Sequence, residues 1–260
     1  MRAQVTDKNI VHRQELKEAK RKQQLECVGK LARKMQWIEG LSPIVFGDVD
    51  RTFRWLKDKV PYENTEAVRH FRAKGGLLMP ITGAPLVHVP SVLRGSFTFA
   101  ESGGVLQLPN RRIVVLAPQL ELSAVEELQL LLGIGVQYGL GRIDGKLVFV
   151  EGPRYASLTL AVGAHPDSPE KRYDQYIEFE ELLSMVLGFI DDHQLPLVAT
   201  KGVAEDGSYA WIDVTTQFQK HDLVDCFQEA IGQKEVHYIG DGSNDVVAIR
   251  FWVPYVTSTV

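Results

Sequence analysis

The residue types that could do chemistry are few and scattered. Two aspartates stand one residue apart in Asp48-Val-Asp50. That spacing could hold a cation, but at the start of an expected helix it reads as an N-cap whose carboxylates meet the positive end of the helix dipole. The segment Asp241-Gly-Ser-Asn-Asp245 lacks the ligand pattern of a calcium loop and reads as a turn. The seven histidines are spread along the chain, and no His-x-x-x-His or Cys-x-x-Cys pair occurs. His221 and Cys226 are five residues apart, a poor ligand spacing on one helix. No Gly-x-Ser-x-Gly elbow is present to present a nucleophile. His88 and Tyr138 could serve a metal-independent RNA cleavage by general acid–base catalysis, yet no constellation combines a nucleophile, a base and an orienting group. The expectation is a protein without catalytic residues, metal or cofactor, and non-enzymatic rather than enzymatic.

Binding chemistry is better represented. Lys17, Lys20, Arg21 and Lys22, continued by Arg33 and Lys34, could pair with phosphates and add salt-dependent affinity without reading sequence. The segment Arg94-Gly-Ser-Phe97-Thr-Phe99 places two phenylalanines on one face of a predicted strand, the spacing of a base-stacking platform. Gly133, Gly135, Gly139 and Gly141, followed by Arg142, form a glycine-rich segment that could bring backbone N–H groups close to a phosphate. It follows a predicted helix and precedes a strand, so it is not a dinucleotide fingerprint. It lacks the Gly-Lys-Ser/Thr of a Walker loop.

The elements that would carry these residues are predicted as follows. Residues 9–39 form a basic helix, polar over its first half and stopped by Gly40 and Ser42-Pro43. Helices follow at 49–59 and 64–73, then short strands at 86–89, 96–100, 105–108 and 112–117. A helix capped by Ser123 and Glu126 runs to Leu132. Strands lie at 146–151 and 155–162. The remainder reads as a helix over 178–193, strands over 196–202 and 209–215, a helix over 220–231, and strands over 235–239 and 246–253. From strand 155–162 onward this order is β-α-β-β-α-β with one extra strand, the ferredoxin-like plan. The expected architecture is α+β: a basic N-terminal helical arm over 1–40, an α+β module with the glycine-rich segment over 41–154, and an acidic ferredoxin-like module over 155–260, built on antiparallel sheets.

The run Leu132-Gly-Ile-Gly-Val-Gln-Tyr-Gly-Leu-Gly-Arg142 resembles the glycine-rich loop of the RAMP proteins of CRISPR systems, and Pro90-Ser-Val-Leu-Arg-Gly95 is similar to a second motif of some members. The likeness covers about 50 residues. It implies a ferredoxin-like RNA-binding protein, or an endoribonuclease of that type.

Charge sorts the possible partners. Of the 260 residues, 45% are hydrophobic and 24% charged, enough apolar material for a sizeable core. The net charge of −4 divides into +5 over residues 1–40, +2 over 41–150 and −11 over 151–260. The front of the chain could meet a polyanion, while the rear would repel one. The expected function is a nucleic-acid-associated protein whose basic part contacts RNA or DNA phosphates and whose acidic part, or N-terminal helix, contacts protein. The alternative is a structural or interaction subunit of a larger assembly. The longest apolar stretch, Leu128–Val136, is too short to span a membrane. Neither a secretory leader nor a disulfide framework is apparent, so a cytoplasmic location is expected.

Overall fold

The computed structural model describes residues 22, 26, 43–54, 59–94, 97–117, 119–135, 138–165, 173–204, 206–216, 220–231 and 236–240. Lys22 and Glu26 are helical, and both are exposed. The rest of the predicted N-terminal arm lies outside the described residues. So do Lys17, Lys20, Arg21, Arg33 and Lys34, the strand predicted over 246–253, and the turn read at Asp241–Asp245.

Two short apolar runs organise the first half of the fold. Ile44–Asp48 forms strand β1 and Leu77–Ile81 forms β2, each buried along its whole length. Continuous burial is the mark of a parallel strand covered on both faces. Helix α1, Tyr62–Ala73, makes the crossover between them. Strands β3 (Thr98–Ala100), β4 (Val105–Gln107) and β5 (Ile113–Val115) extend the sheet on one side. On the other side β1 pairs in parallel with a strand from the far end of the chain, Val236–Ile239. Among the described residues the sheet has six strands, with the four from Val236–Ile239 through β1 and β2 to β3 parallel and the last two antiparallel.

Alternation along β1 and β2 sorts their side chains between two helical layers. Ile44, Phe46, Leu77, Met79 and Ile81 pack against Leu223, Val224 and Phe227 of the helix Lys220–Ile231. Val45 and Leu78 face the other way, onto Val68 of α1 and onto Val89 and Leu93. Arg72 of α1 closes this second layer: its guanidinium donates to the carbonyls of Val92 and Leu93, both at 2.8 Å. Burial pushes the Arg72 guanidinium below its usual pKa. Arg72→Ala leaves both carbonyls without that donor and is expected to cost about 1–3 kcal/mol, read as a lower urea midpoint with an unchanged slope.

The chain between β5 and the helix at Lys220 builds a second unit. Helix α2 (Gln119–Leu131) leads into β6 (Gly139–Ile143), β7 (Lys146–Glu151) and β8 (Leu158–Gly163). Helix α3 (Phe179–Asp192) then precedes β9 (Leu197–Val203) and β10 (Tyr209–Thr216). The sheet is antiparallel in the order β6-β7-β8-β10-β9. Its main core joins Ala124, Val125 and Leu128 of α2 and Leu182, Val186 and Ile190 of α3 to strand residues such as Val148, Leu160, Ile212 and Val214. The chain then returns to the first sheet through α4 (Lys220–Ile231) and β11 (Val236–Ile239).

This architecture corrects the expected one. The chain is not a helical arm followed by ferredoxin-like modules: the first sheet is mixed and largely parallel, and the strand at 236–239 belongs to it rather than to a C-terminal unit. Strands before and after residues 154–155 share the second sheet, so the sheets group the chain differently from the expected 41–154 and 155–260 modules. No helix forms over the described part of 49–59; Val49–Arg54 is an irregular loop. Leu86–His88 is a single 3-10 turn rather than a strand. Among the described residues no helix is long and apolar enough to cross a membrane.

Candidate active site

In an open α/β sheet a ligand binds outside the carboxyl ends of the strands, where the strand order reverses. That position here is the end of β1, flanked by β2 on one side and β11 on the other. Asp48 is the last residue of β1, and Asp50 stands two residues further on. The loop that follows is held by Phe53 N–H and Arg54 N–H donating to the Val49 carbonyl, and by Arg51 N–H donating to the Arg54 carbonyl. Arg51 takes a left-handed φ of 61° to make this reversal. Gly47 is required beneath it: a Cβ there would come within 2.4 Å of the Phe53 ring.

Two ion pairs fix the carboxylates. Lys220, the first residue of α4, extends its Nζ to 2.8 Å from Asp48 Oδ1; their side chains are 4% and 11% exposed. The contact joins residues 172 positions apart. Arg54 Nε donates to Asp50 Oδ1 at 2.8 Å. Thr82 follows β2, so its position beside Asp48 comes from the register that pairs Asp48 with Ile81. Its hydroxyl oxygen accepts from Ala84 N–H at 3.1 Å, and the residue lines the cavity beside Asp48.

The second unit supplies the opposite wall of this cavity, whose volume is about 230 Å³. Tyr209, Trp211 and Asp213 stand at every second position of β10 and line the cavity, while Ile212 and Val214 between and beyond them are buried in the core, against which Trp211 also packs. His165 stacks on Phe149 at 4.4 Å between ring centroids. Glu151, at the end of β7, lies 3.5 Å from His88 Nδ1 and pairs with Arg154. Asp213 accepts from Thr159 Oγ1 and from Trp211 Nε1. Burial pushes its carboxyl above the ordinary range, outweighing the neighbouring Arg154 and the two hydrogen bonds. A carboxyl raised in the folded state costs stability once pH rises past its unfolded pKa, and the cost is complete above the folded one. Asp213→Asn is therefore expected to gain stability over the parent at neutral pH, an advantage that disappears as pH falls below the ordinary carboxyl range. Thermal unfolding followed across pH checks this.

The residues singled out from sequence are not gathered here. Phe97 and Phe99 are 3% and 1% exposed. Both belong to the core beneath the sheet, with Phe99 against Phe46 and Phe227. They cannot offer faces to bases, which corrects the stacking-platform reading. Gly133, with φ 67°, ends α2, and its N–H donates to the Leu130 carbonyl. Gly135 is exposed beyond it, and Gly139 and Gly141 belong to the edge strand β6. Arg142 donates to the Gly145 carbonyl within its own hairpin. Arg94 is exposed on the turn after Pro90. His88 does line the cavity, while the Tyr138 hydroxyl donates to the Arg154 carbonyl from outside it.

No family model and no curated protein matches this sequence. Solved structures do match the fold. A haloacid dehalogenase-like hydrolase from Bacteroides thetaiotaomicron superposes with a TM-score of 0.55 at 16% identity, over 80% of this chain and 85% of that one. A haloacid dehalogenase-like hydrolase from B. subtilis gives 0.53 at 13% identity, over 80% and 86%. A protein from Thermoplasma acidophilum gives 0.52 at 15% identity, over 82% of each. The fold is thus that of haloacid dehalogenase-like hydrolases. The resemblance to RAMP proteins does not hold, since a ferredoxin-like fold has no parallel sheet of this kind. The non-enzymatic nucleic-acid-associated reading, with its alternatives of an assembly subunit and a RAMP-type protein or nuclease, rested on that expected architecture and is corrected with it; two of these three structures of like fold are described as hydrolases.

Proposed function

We propose that the chain is a phosphate-monoester hydrolase in which Asp48 is the nucleophile. The observation that carries this is the Asp48–Lys220 pair at the carboxyl end of β1, with Thr82 and Asp50 beside it. A carboxylate held by a buried ammonium is a fixed anion facing a cavity, and carboxylates attack phosphorus to give acyl phosphates. An oxygen of Asp48 attacks phosphorus, and the bond to the ester oxygen breaks. Asp50, as the acid, gives that oxygen its proton. Asp50, now the base, takes a proton from water as the water attacks the acyl phosphate. The bond from phosphorus to Asp48 breaks, returning the carboxylate and releasing inorganic phosphate. Lys220 and the Thr82 hydroxyl meet the charge that develops on the transferring oxygens.

The fold's name suggests a second leaving group, halide. The site favours oxygen, because halide leaves without a proton and would give Asp50 no task as an acid.

The donor set also fits a magnesium ion. Among the described residues no cluster of three or more His, Cys, Asp or Glu side chains is placed for a metal. Magnesium, however, needs only one or two carboxylates, with water and phosphate oxygens completing its shell, and Asp48 provides one. Two further carboxylates, Asp241 and Asp245, follow β11 in the sequence. A bound magnesium would neutralise charge on the phosphoryl group.

A cytoplasmic location, where Cys27 and Cys226 stay reduced, belongs to the same proposal. The test is release of inorganic phosphate from p-nitrophenyl phosphate in magnesium buffer. Turnover that saturates with ester supports the reading, and no turnover at any magnesium concentration rejects it.

A further inference from the structure

Glu101 is a buried carboxylate outside the proposed chemistry, 2% exposed, in the turn between β3 and β4. Glu101, Ser102 and Gly103 all take left-handed φ values, 52°, 56° and 100°. Two consecutive non-glycine residues in that region cost free energy and persist only where the surroundings hold them. What holds this turn is the second unit. Tyr155 N–H donates to Glu101 Oε1 at 2.9 Å, Ala156 N–H to Oε2 at 2.7 Å, and Ser157 Oγ–H to Oε2 at 2.8 Å. All three donors come from the link between β7 and β8.

Apolar packing confirms the seat. Ala156 is buried with Leu86, Ala100, Val105 and Ala117 of the first unit. Gly104 lets the backbones approach, since a Cβ there would lie 2.9 Å from the Ala156 Cβ.

The relay continues into the site. Ser157 Oγ accepts from Arg154 Nη1 at 3.1 Å, and the same Nη1 donates to the carbonyl of Gly83, next to Thr82, at 3.0 Å. Glu101 therefore reaches the cavity in three steps, through Ser157 and Arg154.

We propose that Glu101 is a positioning residue: it staples the link 155–157 to the first unit and so places Arg154 on the rim of the phosphoryl site. The kinetic part of this inference rests on the hydrolase reading; the staple itself does not. The second unit is then seated on the first by the chain's own bonds.

Glu101→Gln keeps the shape and presents an amide NH2 to donors that need acceptors. Hydrogen exchange at the Tyr155 and Ala156 amides, followed by NMR without substrate, is expected to quicken about tenfold or more. The KM for p-nitrophenyl phosphate is expected to rise by about tenfold to a hundredfold, with kcat falling less, as Arg154 loses its place. Ser157→Ala removes the link to Arg154 and one of the three donors to Glu101, while the Tyr155 and Ala156 amides keep their bonds to the carboxylate. It is expected to raise KM while leaving Tyr155 and Ala156 protected, and it serves as the second variant should Glu101→Gln fail to fold. Unchanged exchange in Glu101→Gln would overturn the staple. Quicker exchange with the parent's KM would overturn the positioning role, as would a parental KM in Ser157→Ala. Because exchange is read without substrate, it decides the staple even if the parent hydrolyses no monoester.

Discussion

Asp48→Asn is expected to abolish phosphate release while leaving the fold in place. An amide has nearly the carboxylate's shape but is a poor nucleophile, so no acyl phosphate can form. The loss expected in kcat is on the order of 10⁴-fold or more, the scale that follows when the group forming a covalent intermediate is removed. The fold is expected to survive because β1 owes its place chiefly to Ile44, Val45 and Phe46, buried on both sheet faces, although losing the carboxylate that faces Lys220 lowers the unfolding temperature. Circular dichroism and thermal unfolding beside the kinetic assay separate the two effects. Asp48→Asn retaining a tenth of parental activity would remove Asp48 as the nucleophile.

Lys220→Met is expected to act on stability and rate together. It removes the ammonium that faces Asp48 at 2.8 Å in a buried setting. Breaking one side of a buried pair typically costs about 3–5 kcal/mol, because the remaining charge keeps its desolvation penalty. The Asp48→Asn/Lys220→Met double variant leaves no such charge, so it is expected to recover most of that stability, though no activity. In the single variant the rate is expected to fall about 10²–10³-fold, as when one preorganised donor to a developing oxyanion is lost. Equal stability of single and double variants would show that the pair carries little of the site's electrostatics.

Much of the local structure is legible in the sequence, and the reason is periodicity. The helices at 62–73, 179–192 and 220–231 lie close to where apolar spacing puts them, as do strands β7, β9, β10 and β11. What is not legible is which sheet a strand joins. The order from 158 onward looks like one ferredoxin-like unit, but Val236–Ile239 pairs in parallel with β1, nearly two hundred residues earlier. Strands β1 and β2 escape the reading because they are covered on both faces, so Ile44-Val-Phe-Gly and Leu77-Leu-Met-Pro-Ile81 show no alternation. Their loss hides the site. Asp48 and Asp50 stand out as a pair in the sequence, yet without the strand before them they pass for a helix cap. An apolar run of strand length ending in Asp-x-Asp is the signal that could have placed them. Lys220 and Thr82 carry no local signal, since only the fold brings them to Asp48. Phe97 and Phe99 mislead in the opposite sense: spacing of two puts them on one face of a strand but does not say whether that face is wet.

The covalent step can be observed directly. The protein is mixed with p-nitrophenyl phosphate and magnesium, quenched in acid within the first turnover, digested, and its peptides weighed by mass spectrometry. A single phosphoryl group on the peptide containing Asp48, absent from Asp48→Asn, is the predicted result. Phosphate released while that peptide stays unmodified at every quench time, or a phosphoryl group found on another residue, would contradict the account.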